Sequence, residues 1–79
     1  MKHPFDVHVG GKIRQSRCNA ELSMEELGMM LGVSTLQIQS IEAGGVRVDS
    51  ELLRRVVEIL DAPATFYFEG LAAALRTAA

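Results

Sequence analysis

The stretch Ser23-Met24-Glu25-Glu26-Leu27-Gly28-Met29-Met30-Leu31-Gly32-Val33-Ser34-Thr35-Leu36-Gln37-Ile38-Gln39-Ser40-Ile41-Glu42-Ala43-Gly44 carries the same helix-start signal twice. Ser23 and Glu26 have the spacing of a capping box, in which the hydroxyl accepts from the Glu26 amide and the carboxylate accepts from the Ser23 amide. Ser34 and Gln37 repeat that spacing, with Gln in the third helical position. Behind each start the apolar residues recur at helical intervals, Leu27 and Leu31 in the first segment and Ile38 and Ile41 in the second. Gly32 ends the first segment and Gly44-Gly45 the second, because glycine takes the left-handed conformation common at helix ends. Only Val33 separates the first stop from the second start, so the stretch predicts two short helices joined by a tight turn.

The pattern continues on both sides. Upstream, Val9, Ile13 and Arg17 recur every four residues and predict a helix from about Asp6 to Ala20. Downstream, Asp49-Ser50-Glu51 places an N-cap and acids at the front of a fourth helix, as the helix dipole favours. Its buried stripe is expected to be Leu53, Val56 and Leu60, with Arg54, Arg55 and Glu58 facing water. Pro63 opens a short fifth helix crowded by Phe66, Tyr67, Phe68 and Leu71. No strand signal, repeat or low-complexity segment interrupts this order. The expected fold is all-α, a compact bundle of about five short helices, and 79 residues support one domain over 1–79.

Composition narrows the function classes. Apolar residues make up 48% of the chain and charged residues 23%, ordinary globular usage. The net charge of −2 does not announce nucleic acid, so such a reading must rest on local features. The lone Cys18 cannot form an internal disulfide, and the first residues have no signal-peptide pattern. With no apolar run near membrane-spanning length, a cytoplasmic protein with no membrane association is expected. A catalytic reading finds no Gly-rich phosphate loop, no Ser/His/Asp arrangement and no second thiol or activating base beside Cys18. His3, Asp6 and His8 have a spacing that arises readily by chance near a chain end and are not read as a metal site. No catalytic residue, metal or cofactor is expected.

Two helices joined by a short Gly-containing turn form a helix-turn-helix, here over about 23–44. The sequence resembles the Cro and phage-repressor-type (XRE) helix-turn-helix family from Ile13 to about Leu60. The resemblance rests on Ile13-Arg14, Arg17, Leu22-Ser23, Glu26-Leu27, Leu31-Gly32-Val33-Ser34, Ile38, Ile41-Glu42 and Gly44. Phe66-Tyr67-Phe68-Glu69-Gly70-Leu71 is similar to stand-alone bacterial regulators of that family. The resemblance implies a lambda-repressor-like DNA-binding domain in a sequence-specific transcriptional regulator, most simply a repressor that occludes a promoter.

It also implies roles for individual residues. The helix from Ser34 would enter the major groove of double-stranded DNA, with Ser34, Thr35, Leu36, Gln39 and Ser40 at base edges. Gln suits adenine, Ser and Thr donate or accept, and Leu36 suits a thymine methyl. Gln37, near the sugar-phosphate edge, would join Lys12, Arg14, Arg17 and Arg47 at phosphates. Arg17 and Glu42 would also pair to fix the angle between their helices. No Lys or Arg lies between Cys18 and Val46, so about two to four phosphates per subunit and a shallow salt slope are expected.

Met24 departs from the family, where Gln is usual and contacts the backbone; a thioether cannot donate a hydrogen bond. Gly28 replaces a small alanine and suits a close helix approach. Met29 and Met30 add apolar surface where polar residues are common, and with Met24 they offer a face for another transcription protein. The alternative expectation is therefore a helix-turn-helix used as a protein interaction module with little DNA binding of its own. The segment of about 63–76 is the candidate homodimer face. Phe66, Tyr67 and Phe68 point in three successive directions that one core cannot absorb, and Leu71 and Leu75 extend an apolar strip.

Overall fold

The computed structural model describes residues 2–77 and contains, within them, six helices and no strand. These are α1 (Pro4–Asn19), α2 (Met24–Leu31), α3 (Thr35–Glu42), α4 (Ser50–Leu60), α5 (Ala64–Phe68) and α6 (Leu71–Thr77). α1 starts two residues before the expected Asp6. Pro4 occupies the first helical turn, where its missing N–H costs nothing, and His3 Nδ1 accepts from the Phe5 amide at 3.1 Å as the N-cap.

Both capping boxes are present. Ser23 Oγ accepts from the Glu26 amide at 3.0 Å and Ser34 Oγ from the Gln37 amide at 3.1 Å, each with the reciprocal side-chain contact. Gly32 ends α2 at φ +74°, a backbone conformation that side chains with a Cβ rarely adopt. The expected fifth helical segment divides at Gly70, whose φ of +75° breaks the helix and starts α6 on a new course.

α1 is the central element, packing against α3, α4, α5 and α6, while α2 packs against α3 and α4. The core comprises Val9 and Ile13 from α1, Leu27 and Leu31 from α2, Ile38 and Ile41 from α3, Val56 and Leu60 from α4, Tyr67 from α5, and Val48. Two glycines set the helix spacing. A Cβ on Gly10 would meet the Ile41 carbonyl oxygen of α3 well inside van der Waals contact. A Cβ on Gly28 would lie 2.7 Å from the Val33 carbonyl oxygen, so Gly28 lets the turn fold back onto α2.

Several expectations change at this level. Leu53 is only half-buried, and Val48 from the α3–α4 loop takes a core place instead. Arg55 does not simply face water; its Nη2 donates to the Leu31 carbonyl at the C-terminal end of α2. Tyr67, expected at a dimer face, is completely buried within the monomer, and its hydroxyl donates to Ser16 Oγ at 3.1 Å. The polar tip of Tyr67 finds its partner inside, which removes it from the dimer set.

Candidate nucleic-acid interface

α3 turns Ile38, Ile41 and Glu42 inward and leaves Ser34, Thr35, Leu36, Gln37, Gln39 and Ser40 exposed. Helical periodicity thus separates a packing face from a polar outer face on the same eight residues. Leu36 is 74% exposed, an apolar side chain held in solvent on an otherwise polar face. The capping box occupies parts of two of these residues. Ser34 Oγ accepts from the Gln37 amide, which leaves its O–H free to donate, and Gln37 Oε1 accepts from the Ser34 amide at 2.8 Å. The Gln37 side-chain NH2 is therefore the end available to an acceptor such as a phosphate oxygen.

Two clefts flank this helix. One is lined by Arg14 of α1, Met24 of α2, and Gln39, Glu42 and Ala43. It brings the expected phosphate-contacting Arg14 beside the expected base-contacting Gln39, with the half-buried Met24 between the first two helices. The other cleft lies where α3 ends and is lined by Lys2, His3, Asp6, Gly44, Gly45, Val46 and Arg47. Arg47 is expected near DNA, whereas His3 carries no such expectation. No local signal in the sequence joins positions 2 and 47, since only the folded path of the chain brings them together.

Two of the expected phosphate contacts have partners within the fold. Arg17 is 8% exposed and each of its three nitrogens has a partner: Nε donates to Glu42 Oε2 at 2.6 Å, Nη2 to Oε1 at 3.1 Å, and Nη1 to the Leu22 carbonyl at 2.8 Å. Donating to Glu42 raises the already high pKa of the guanidinium, so this charge is permanent and internally matched. Lys12 lies with its ammonium 4.7 Å from the centre of the Phe66 ring, held by cation–π attraction against α5.

The remaining charges sort in the same way. Arg54 bridges Glu51 at 2.8 Å and Glu58 at 2.9 Å on the surface of α4. His3, Asp6 and His8 have separate partners: His3 caps α1, Asp6 Oδ1 accepts from the Val48 amide at 2.9 Å, and His8 Nε2 lies 2.6 Å from the Glu69 carbonyl oxygen. Met29 and Met30 of α2 are 78% and 54% exposed. At the other end of the molecule Phe68 and Leu75 are exposed and Leu71 is half-buried, with Phe68 leaning on Phe5 at a ring separation of 6.3 Å. No described helix is long and apolar enough to cross a membrane.

Comparison with known proteins places this geometry. The helix-turn-helix family model matches residues 13–67. An HTH-type transcriptional regulator of Sinorhizobium medicae is 42% identical over 67 residues, covering 85% of this chain and 48% of the relative. A transcriptional regulator in the ATPase CF(0) region of Rhodospirillum rubrum is 36% identical over 69 residues, covering 87% of this chain and 64% of the relative. The chain thus spans about half the length of the first of these relatives. Among solved structures, the clp gene regulator ClgR of Corynebacterium glutamicum superposes with a TM-score of 0.80 at 25% identity, over 90% of this chain and 92% of that one. The restriction-modification controller protein C.AhdI of Aeromonas hydrophila shares the fold, with a TM-score of 0.71 at 24% identity, over 78% of this chain and 90% of that one.

Proposed function

The chain belongs to the XRE-type helix-turn-helix family, a family of transcriptional regulators and not of enzymes, and from that premise we propose that it is a sequence-specific DNA-binding regulator. The observation that carries this reading is the outer face of α3. Its exposed side chains donate and accept hydrogen bonds, and Leu36 offers a methyl-binding surface among them. Thr35, Leu36, Gln39 and Ser40, with the free O–H of Ser34, read bases in the major groove. Arg14, Arg47 and the Gln37 side-chain amide hold the flanking backbones.

The protein works as a homodimer paired through Phe66, Phe68, Leu71 and Leu75, which sets two recognition helices roughly 34 Å apart on a pseudo-palindromic operator. Repression follows from occupying that operator. A second reading draws on the exposure of Met29 and Met30, which suits contact with another transcription protein while α3 holds DNA.

Fluorescence anisotropy against pooled genomic duplexes at about 50 and 200 mM salt tests the main reading. A subset bound tightly at both salts, carrying two half-sites about one helical turn apart, is the expected result. A folded protein that binds nothing at the lower salt overturns it.

A further inference from the structure

The basic side chains are unevenly committed. Arg17 is consumed by Glu42, Arg54 by Glu51 and Glu58, Arg55 by the Leu31 carbonyl, and Lys12 by the Phe66 ring. Lys2, Arg14, Arg47 and Arg76 have no ion-pair partner among the described residues. Two of these four, Lys2 and Arg47, come from opposite sides of the helix-turn-helix in sequence and line one cleft where the recognition helix ends. The only carboxylate lining that cleft belongs to Asp6. It is 4% exposed and its Oδ1 accepts from the Val48 amide, so it fixes the loop that carries Arg47, and no ion pair joins it to Lys2 or Arg47.

His3 adds a third donor by a different route. Its Nδ1 accepts from the Phe5 amide at 3.1 Å, so in the neutral ring the proton resides on Nε2. Nε2 is then a donor without carrying charge, on a residue that lines the same cleft. Two cations and a fixed N–H donor match the oxygens of one phosphodiester, which accepts hydrogen bonds and bears one negative charge.

We propose that this cleft grips a single DNA backbone phosphate through Lys2, Arg47 and His3, so that the first residues of the chain and the α3–α4 loop close on the same phosphate. The proposal rests on the DNA-binding reading above. It adds Lys2 and His3 to the interface and makes Lys2 and Arg47 partners at one phosphate instead of independent contacts.

The test is binding of a random-sequence duplex across a salt series by the full chain and its Lys2→Gln, Arg47→Gln, double, His3→Asn and Arg76→Gln variants. Asn at position 3 retains a good N-cap and removes the Nε2 donor. Lys2→Gln and Arg47→Gln are each expected to weaken binding, and the double variant to lower the salt slope by about 0.9 per subunit. A fall of about twice that size would mean two separate phosphates and would overturn the shared grip. Variants that behave like Arg76→Gln, in a wild-type protein that binds the duplex, would overturn this proposal alone. A wild-type protein that binds no duplex would overturn it together with the regulator reading. Titration with inorganic phosphate separates the sources. Saturation of the Gly45 and Arg47 amide shifts by free phosphate, without any response to duplex, would assign the cleft to a free anion and reject the DNA assignment.

Discussion

The Arg17 guanidinium grips the Glu42 carboxylate with two hydrogen bonds while a third nitrogen holds the Leu22 carbonyl, so one side chain ties α1 to the last residue of α3 and to the approach to α2. Both side chains are enclosed, 9% and 3% exposed, and losing either strands a buried charge. Glu42→Ala is expected to destabilise the fold by about 3 kcal/mol. In a domain of this size that lowers the Tm by about 15 °C. A melting temperature unchanged within error would show that the pair does not fix the helix angle.

Gly10 and Gly11 are adjacent in α1 and face opposite demands. Gly10 is buried against the Ile41 and Glu42 carbonyls of α3, whereas a Cβ on Gly11 would meet nothing within 4 Å. Gly10→Ala forces backbone apart and is expected to cost about 2–3 kcal/mol, at the upper end of overpacking penalties. Gly11→Ala relieves a helix-interior glycine and is expected to stabilise by about 1 kcal/mol. Urea melts of the two variants should move in opposite directions; matching shifts would contradict the packing of α1 on α3.

Acid should act at the start of α2. The Glu26 carboxylate accepts from the Ser23 amide at 2.9 Å, and this backbone hydrogen bond, followed by the Ser23 side-chain contact, lowers its pKa below the ordinary value. A depressed carboxylate pKa contributes stability that is present above the unfolded value and lost as pH falls through the folded one. Wild-type stability should therefore decline below about pH 4 more steeply than that of Glu26→Gln. The side chain is fully exposed, so the difference is small and is read from the pH dependence of the urea midpoint.

Base should act at Tyr67. Burial raises its pKa above the ordinary value, with the Ser16 hydrogen bond opposing this in part. A raised folded pKa means full stability below the unfolded value near 10 and progressive loss as pH climbs from there through the folded one. Tyr67→Phe removes this alkaline loss. It also gives up the hydroxyl contact to Ser16, at a cost of about 1 kcal/mol at neutral pH. Equal alkaline unfolding in both proteins would place the phenol in water.

The sequence made the helix starts legible because their chemistry is local. Ser23 with Glu26 and Ser34 with Gln37 are complete signals within four residues, and Gly32 between them is a stop with one plausible geometry. Legibility fails where a partner lies far along the chain. Nothing near Asp6 indicates that its carboxylate will take the Val48 amide, 42 residues away. Val48, in a loop with no helical period, likewise gives no sign that it belongs to the core. The aromatic run Phe66-Tyr67-Phe68 correctly signals three directions, yet only Ser16, waiting inside α1, decides that Tyr67 takes the buried one. The cleft joining Lys2 to Arg47 is invisible for the same reason.

With Tyr67 committed to the core, the dimer proposal narrows to Phe66, Phe68, Leu71 and Leu75. Phe66 is half-buried beneath Lys12, so the open apolar surface is Phe68 and the strip from Leu71 to Leu75, each leucine one helical turn from the other on α6. Ala72, also exposed, is small enough to let a partner helix approach. A charge in the middle of such a contact would be desolvated without a partner. Leu75→Glu is therefore expected to convert a dimer to a monomer in sedimentation while leaving the Tm of the monomer nearly unchanged, since Leu75 is 41% exposed. Tyr67→Phe should leave the association state intact. If Leu75→Glu sediments as wild type does, α6 is not the pairing surface.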